Sequence, residues 1–436
     1  MLEAEALRDA HGAMGAIAAK PPPIFRGRLM NFPTRQAWLV VALLWPVALL
    51  NYLDRQMLAT MGVSIGRDII EVQSAAVYGQ LMGAFLWVYA VTSPFGGIFA
   101  DRVNRKWLIV GSLGVWSTVT LLMGVAHNYT TLIWLRGVMG LSEAFYMPSG
   151  LSLIADYHRG ATRSLAVGVH MSGLYMGQAL GGIGGWIAQS ISWRAAFGSC
   201  GCVGVIYGIV LAIFLREKEG RGAVTTSPVP GPGHDPTPVW WLGYVMLVLC
   251  FALPSFPGWA VKNWLPTLLQ DRFFLDQKSS GLWATIIYAS AAFCGVVLGG
   301  RSSDFLFTRH VHGRTWVSAS GLLCTAVAII GIGLAPAFWA VIACSALYGF
   351  GFGVFDANSM PILCQVAPPR FRGTGYGLMN FCGTGAGALV TPLLGKLKDS
   401  GTPLALSFAY CAIPALLAAA MMVLMRPRDR DRGVAV

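Results

Sequence analysis

The stretch that decides the fold is LWPVALLNYLDRQMLATMGV, residues 44–63. It has the length and apolar character of a membrane-crossing helix, yet Asp54 and Arg55 stand side by side near its middle. A charge at the centre of a bilayer costs about 2.5–3.5 kcal/mol on insertion scales. Two in one apolar segment need a physical reason.

The rest of the chain has the same character. Of its 436 residues, 55% are apolar and only 11% charged, against roughly 25% charged in a soluble domain; mean hydropathy is +0.61. A run of about 20 apolar residues crosses a hydrocarbon core about 30 Å thick. Twelve such spans are expected, six near 36–62, 75–100, 107–126, 130–154, 165–189 and 196–215. The other six fall near 240–268, 281–303, 315–334, 337–363, 374–395 and 404–425. The pattern predicts an all-α membrane protein with a tail at 1–35, a six-helix bundle at 36–215 and a second bundle at 240–425. Between the bundles, residues 216–239 are polar and rich in Pro and Gly, which reads as a flexible linker. Residues 426–436 form a short tail, and the first 34 residues carry no pattern of a cleaved signal peptide.

Basic residues set the expected orientation. Of 31 Lys and Arg, 22 fall on the side shared by both termini and the linker, 6 on the other, and 3 inside spans. The positive-inside bias then places both termini in the cytoplasm of a bacterial-type plasma membrane. Topology thus accounts for the net charge of +12, and no soluble basic domain is left to bind nucleic acid. The nine Cys residues lie mostly within spans and lack metal-ligand spacing, so they read as small core residues. The sequon at Asn128 falls in a very short loop and reads as chance. No cofactor is expected. No Ser/His/Asp or metal constellation and no extramembrane domain point to an enzyme.

The two halves repeat each other. GLSEAFYMP (140–148) aligns with GVFDANSMP (353–361), which matches Glu143 to Asp356 and Pro148 to Pro361 at an offset of 213. The same offset carries Arg159-Gly160 onto Arg372-Gly373, and at a second offset, of 203, GGIFAD (96–101) recurs as GGRSSD (299–304). Parallel six-helix repeats place a substrate site between them near the bilayer midplane. GIFADRVNRK (97–106) resembles the G-x-x-x-D-R-x-x-R-K loop of the major facilitator superfamily. The resemblance covers about residues 36–425 and implies that family's fold of two pseudo-symmetric bundles. It also implies a conformational latch at Gly97, Asp101, Arg102, Arg105 and Lys106. The second copy lacks the DR and RK residues, which leaves its own latch role in question.

Six ionisable residues fall inside spans: Asp54, Arg55, Arg136, Glu143, Lys262 and Asp356. Facing lipid, they would together cost about 15–20 kcal/mol, so they face a cavity or one another. The plainer alternative is a set of internal ion pairs that hold helices together. Arg136 and Glu143 are seven residues apart, two turns or about 10 Å along the axis, with side chains long enough to bend together. Asp54 and Arg55 differ by about 100° around their helix, so only one faces a central cavity squarely. Tyr52 and Arg55 share a face.

NYLDR in the first span, with RGVMGLSEAFYMP in the fourth, is similar to the anion:cation symporter branch of the superfamily, which includes bacterial sugar-acid and phthalate carriers, sialin and vesicular glutamate carriers. The resemblance implies that Arg55 binds a substrate carboxylate, that Asp54 and Glu143 take protons, and that Arg136 pairs with Glu143. Tyr52, Tyr89 and Asn380 would line the pocket. Two residues depart from that pattern. Lys262 is a second anion anchor or snorkels to the interface. Asp356 neutralises Lys262, adds a proton site or favours a zwitterionic substrate. His170 reads as a hydrogen-bonded core residue. The Gly-rich QALGGIGGW and GTGAGA stretches read as helix-contact surfaces. The expected function is a proton-coupled secondary transporter of a small organic anion, working as a monomer in the bilayer. A Spinster-like carrier of lysolipids shares the NYxDR and GxxEA arrangement and is the alternative; a non-transporting sensor would call for a large signalling tail.

Overall fold

A computed structural model describes residues 34–158, 162–217, 240–366 and 372–425. The expected tails, most of the linker and the Arg159-Gly160 pair lie outside the described residues, as does the Asp101 side chain. Everything described is helix and short turn, with no strand. Ten stretches are long and apolar enough to cross a membrane.

Within the first half these are α1 (Thr34–Leu58), α3 (Ala75–Arg102), α4 (Arg105–Met123) and α9 (Trp193–Phe214). A short helix α2 (Gly62–Asp68) follows α1. The two remaining expected spans of this half are each broken in two. The fourth is α5 (Tyr129–Glu143) and α6 (Tyr146–Tyr157), and the fifth is α7 (Arg163–Leu180) and α8 (Gly182–Ser190). Pro148 explains the first break. Its ring clashes with the carbonyl four residues earlier, that of Ala144, so the helix restarts with Pro148 in its first turn. The second half contains α10 (Trp240–Phe273), α11 (Gln277–Arg309), α12 (Gly313–Leu334), α13 (Phe338–Val366) and α14 (Arg372–Asp399). Its last span is α15 (Leu404–Tyr410) with α16 (Ala412–Leu424).

Glycines let these helices approach to backbone contact, and they do so in register with the repeat. A Cβ at Gly140 on α5 would lie 2.5 Å from the Phe85 carbonyl oxygen of α3. At Gly353, its partner at the offset of 213, it would lie 2.1 Å from the Ala292 carbonyl oxygen of α11. The same small-residue contact is thus built twice, where any side chain would push the helices apart.

The turns alternate between two faces, a linker face and a far face. At the far face, helix ends seal the first half against the second. The Asp399 carboxylate at the end of α14 accepts from Ser74 Oγ (2.7 Å), Ala75 N (3.0 Å) and Ala76 N (2.8 Å). It therefore caps the first turn of α3, whose N–H groups have no partner within the helix. Gln189 at the end of α8 does the equivalent for α11. Its Oε1 accepts from Lys278 N (2.7 Å) while its Nε2 donates to Asp276 Oδ2 (3.0 Å). Between these clamps Gln277 of α11 accepts from Ser64 N (2.9 Å) and donates to Ser64 Oγ (2.8 Å). The QALGGIGGW stretch lies in this seal, where a Cβ at Gly182 would meet the Gly281 carbonyl oxygen at 2.7 Å.

Forcing a side chain into the α11–α13 contact should be costly. Gly353→Val should lower the thermal midpoint in detergent by the equivalent of about 1–3 kcal/mol. Gly385→Ala on α14, where a Cβ meets nothing within 4 Å, should leave the midpoint unchanged or slightly raised.

Candidate functional site

A cavity of about 460 Å³ lies between the two halves, within the usual range for small-molecule sites. It starts at mid-depth beside Arg55, Lys262 and Tyr288 and reaches toward the linker face at Gly97, Ser152 and Gly377. The far-face seal closes its other end.

Arg55 dominates the first wall. Its guanidinium lies over the rings of Tyr52 (4.9 Å), Phe85 (4.8 Å) and Tyr89 (4.4 Å), a box that favours a cation without offering it an anion. Its Nε donates to Glu143 Oε2 at 2.6 Å. Asn51, one turn earlier on α1, donates to the same oxygen at 2.9 Å. Glu143 is fully buried, and its Oε1 has no hydrogen-bond partner among the described residues. As expected, Tyr52 and Arg55 share the cavity face of α1. Asp54 points about a quarter-turn away, into the first half, where Thr120 Oγ1 (3.2 Å) and Cys200 Sγ (2.7 Å) donate to it.

Arg136 corrects one expectation: it does not pair with Glu143. Its guanidinium lies over Phe85 at 4.8 Å, and its Nη1 approaches Met139 Sδ at 3.2 Å. Both guanidinium groups stack on the Phe85 ring, and Arg55 takes the carboxylate. Nε of Arg136 is buried and has no partner among the described residues.

The second wall carries Lys262 and Asp356, both lining the cavity. Lys262 does not snorkel away. Its ammonium lies over the rings of Trp259 (5.0 Å) and Phe352 (5.6 Å). Of the three alternatives for Asp356, neutralisation of Lys262 is not formed as an ion pair; Asp356 Oδ2 instead accepts from Tyr175 OH across the cavity at 3.2 Å. Asn380 lines the cavity and donates to Ser93 Oγ at 2.7 Å, joining α14 to α3. Tyr89 also lines it. His170 is completely buried against Tyr146, but neither ring nitrogen has a hydrogen-bond partner, contrary to the expectation of a bonded core residue.

The latch residues lie outside this cluster, at the linker face. Gly97 is at the cavity mouth, and a Cβ there would meet nothing. Arg105 pairs with Asp156 of α6 and donates to the Ala100 carbonyl at 3.2 Å. Arg102 is exposed, and Lys106 lies over Trp107. In the second repeat Asp304 pairs with Arg314 at 3.2 Å, so the carboxylate of GGRSSD has a basic partner although the DR pair is missing.

Sequence reasoning missed Asn51, Tyr175 and Tyr288. Asn51 could have been found, since it lies four residues before Arg55 and so on the same helix face. Tyr175 and Tyr288 carry no comparable local signal.

The Major Facilitator Superfamily model matches residues 44–310 and 266–435. The chain belongs to the Major Facilitator Superfamily. It is a multi-pass membrane transporter of that superfamily and not an enzyme. Among curated relatives, the chain is similar to the D-galactonate transporter of Escherichia coli, 26% identical over 420 residues, 90% of this chain and 96% of that one. It is also similar to the 3-(3-hydroxy-phenyl)propionate transporter of the same species, 26% identical over 413 residues, 90% and 95% of the two chains. In fold it matches a crystal structure of a bacterial homolog of the human lysosomal transporter Spinster in an inward-facing, occupied conformation. That match has a TM-score of 0.73 at 20% identity and covers 91% of this chain and 97% of that one.

Stripping one partner from a buried ion pair leaves an uncompensated charge, at a cost of about 3–5 kcal/mol. Arg55→Ala and Glu143→Ala should therefore each lower the thermal midpoint more than the double variant does. A double-mutant cycle on unfolding midpoints measures this, and additive losses would contradict the buried pair.

Proposed function

We propose that this superfamily member is a proton-coupled secondary transporter of a small organic anion, a carboxylate such as a sugar acid or aromatic acid, working by alternating access. The observation that carries the reading is Arg55: one cation lines the cavity and at the same time holds the buried Glu143. A substrate carboxylate and Glu143 compete for the same fork of guanidinium donors. A proton on Glu143 weakens its hold on Arg55 and frees donors for the substrate; loss of the proton restores the pair and expels the substrate. Coupling then follows from a shared cation and needs no separate relay.

The remaining residues take supporting roles. Tyr52 and Tyr89 hold the guanidinium in place and, with Asn380, line the path. Lys262 is a second anion anchor, since it lines the cavity and its ammonium lies over aromatic rings with no ion-pair partner among the described residues. Asp54, away from the cavity, is a second acid able to take a proton, and Arg136 is a fixed positive charge behind Phe85. The bundles at 36–215 and 240–425 rock about the cavity, with residues 216–239 connecting them. By the excess of Lys and Arg, the linker face is cytoplasmic and the cavity is open inward. The latch around Gly97, Asp101, Arg102, Arg105 and Lys106 would engage when that face closes. A bacterial-type plasma membrane is the setting, with both termini cytoplasmic and the monomer as the working unit.

A second reading, an amphiphile carrier of the Spinster kind, draws support from the fold match and from the aromatic lining by Tyr52, Tyr89, Phe251, Trp259 and Tyr288. Uptake into proteoliposomes under an imposed proton gradient separates the two, with sugar acids, aromatic acids and lysolipids as test solutes. Gradient-driven accumulation of a carboxylate supports the anion reading, and transport of lysolipid alone overturns it. Glu143→Gln should abolish gradient-driven accumulation and leave substrate exchange largely intact. Loss of both exchange and binding would place Glu143 in the substrate site and overturn its role as the coupling acid.

A further inference from the structure

An acid in the wall of an anion's cavity is a liability, because it repels the cargo unless something offsets its charge. Asp356 is such an acid. It stands at the repeat position of Glu143, but the two are placed differently. Glu143 is sealed inside the first half and bonded to Arg55, whereas Asp356 lines the cavity itself. Among the described residues no cation pairs with it. Lys262, in the same wall, is beyond ion-pair distance and sits over Trp259 and Phe352 instead. Among the described residues the one donor that reaches Asp356 is Tyr175 OH at 3.2 Å, contributed by the opposite half. An ionised carboxylate accepts about four hydrogen bonds, so most of its capacity faces open space in the cavity.

We infer that Asp356 is a specificity-determining residue: it accepts hydrogen bonds from hydroxyl groups of the substrate, at the end remote from the carboxylate held by Arg55, and the Tyr175 hydroxyl holds that place until substrate arrives. The inference rests on the anion reading and narrows it. A substrate that repays Asp356 must carry hydroxyl donors beyond its acid group, so the cargo is a polyhydroxylated carboxylate. An acid with a bare apolar tail would leave the Asp356 charge facing hydrocarbon. Sites built to bond a hydroxyl discriminate strongly against analogues that lack it, because the site's polar group is then left unmatched. Lys262, close by but not bonded to Asp356, supplies the complementary donor: a hydroxyl between them donates a hydrogen bond to Asp356 and accepts one from Lys262. Neither charge alone would read a hydroxyl in a fixed orientation.

The test compares binding of gluconate and hexanoate, six-carbon acids with and without hydroxyls, to the full-length protein in detergent by titration calorimetry. Wild type should prefer gluconate by at least about tenfold. Asp356→Ala should erase that preference by weakening gluconate while hexanoate binding holds or tightens, since a repulsive charge has gone. Asp356→Asn keeps one acceptor oxygen and should retain part of the preference, and Tyr175→Phe should bind gluconate as tightly or more tightly. Either conservative variant carries the test if the alanine variant does not fold. Equal losses for both acids in Asp356→Ala would make the residue structural and overturn the inference. An unchanged ratio with an altered pH profile of uptake would make it a proton site, with the same consequence. Arg55→Ala is the control, expected to weaken both acids together. If wild type binds neither acid, or binds both equally, this inference falls; the anion reading falls with it only if the proteoliposome panel also shows no carboxylate accumulation.

Discussion

Everything in the central cavity depends on one buried contact, the 2.6 Å bond from Arg55 to Glu143. An isolated ion in a low-dielectric interior costs several kcal/mol, and here each charge of the pair offsets part of the other's cost. Around the pair the chain has arranged what such a contact requires. Asn51 shares the carboxylate oxygen, and three aromatic rings surround the guanidinium. The break between α5 and α6 follows directly after Glu143, and Pro148 causes it. The contact is strong enough to hold helices of the first half together and exposed enough, through Arg55, to feel what enters the cavity.

The two walls treat charge in opposite ways. In the first, cation and anion are joined and the cation is boxed by rings. In the second, Lys262 and Asp356 stay apart, one over aromatic faces and the other bonded to a phenol from across the cavity. The repeat keeps an acid at the position of Glu143, as Asp356, but not its bond to a cation. A cargo that met only the first wall would need no more than a carboxylate. On the anion reading proposed above, the second wall would ask for further polar chemistry and so separate polar acids from molecules with long apolar tails.

Much of this was legible in the sequence, and the parts that were not have identifiable causes. Hydropathy gave ten of the twelve expected spans as long apolar stretches, the fourth and fifth being broken, and the offset of 213 located Gly140 and Gly353, which proved to make the same helix contact twice. The 100° step between Asp54 and Arg55 correctly implied that only one faces the cavity. The partner of Arg136 was misjudged because spacing along one helix says nothing about what a neighbouring helix inserts. Phe85 from α3 occupies the space, and Arg55 from α1 reaches Glu143 first. Tyr175 was invisible for the same reason: its role exists only where α7 and α13 meet. Local spacing predicts faces; it does not predict which of several facing side chains wins a shared partner.

The far-face clamps have a consequence of their own. In each, the acceptors serve backbone amides at a helix start, groups that no substitution short of proline removes. One side of each contact is therefore fixed in advance by the peptide chain, and only side chains, Asp399 and Gln189 with Ser74 and Asp276 beside them, are open to change. A looser or tighter seal at the far face could be reached by altering these side chains, while the shape of the cavity beneath stayed as it was.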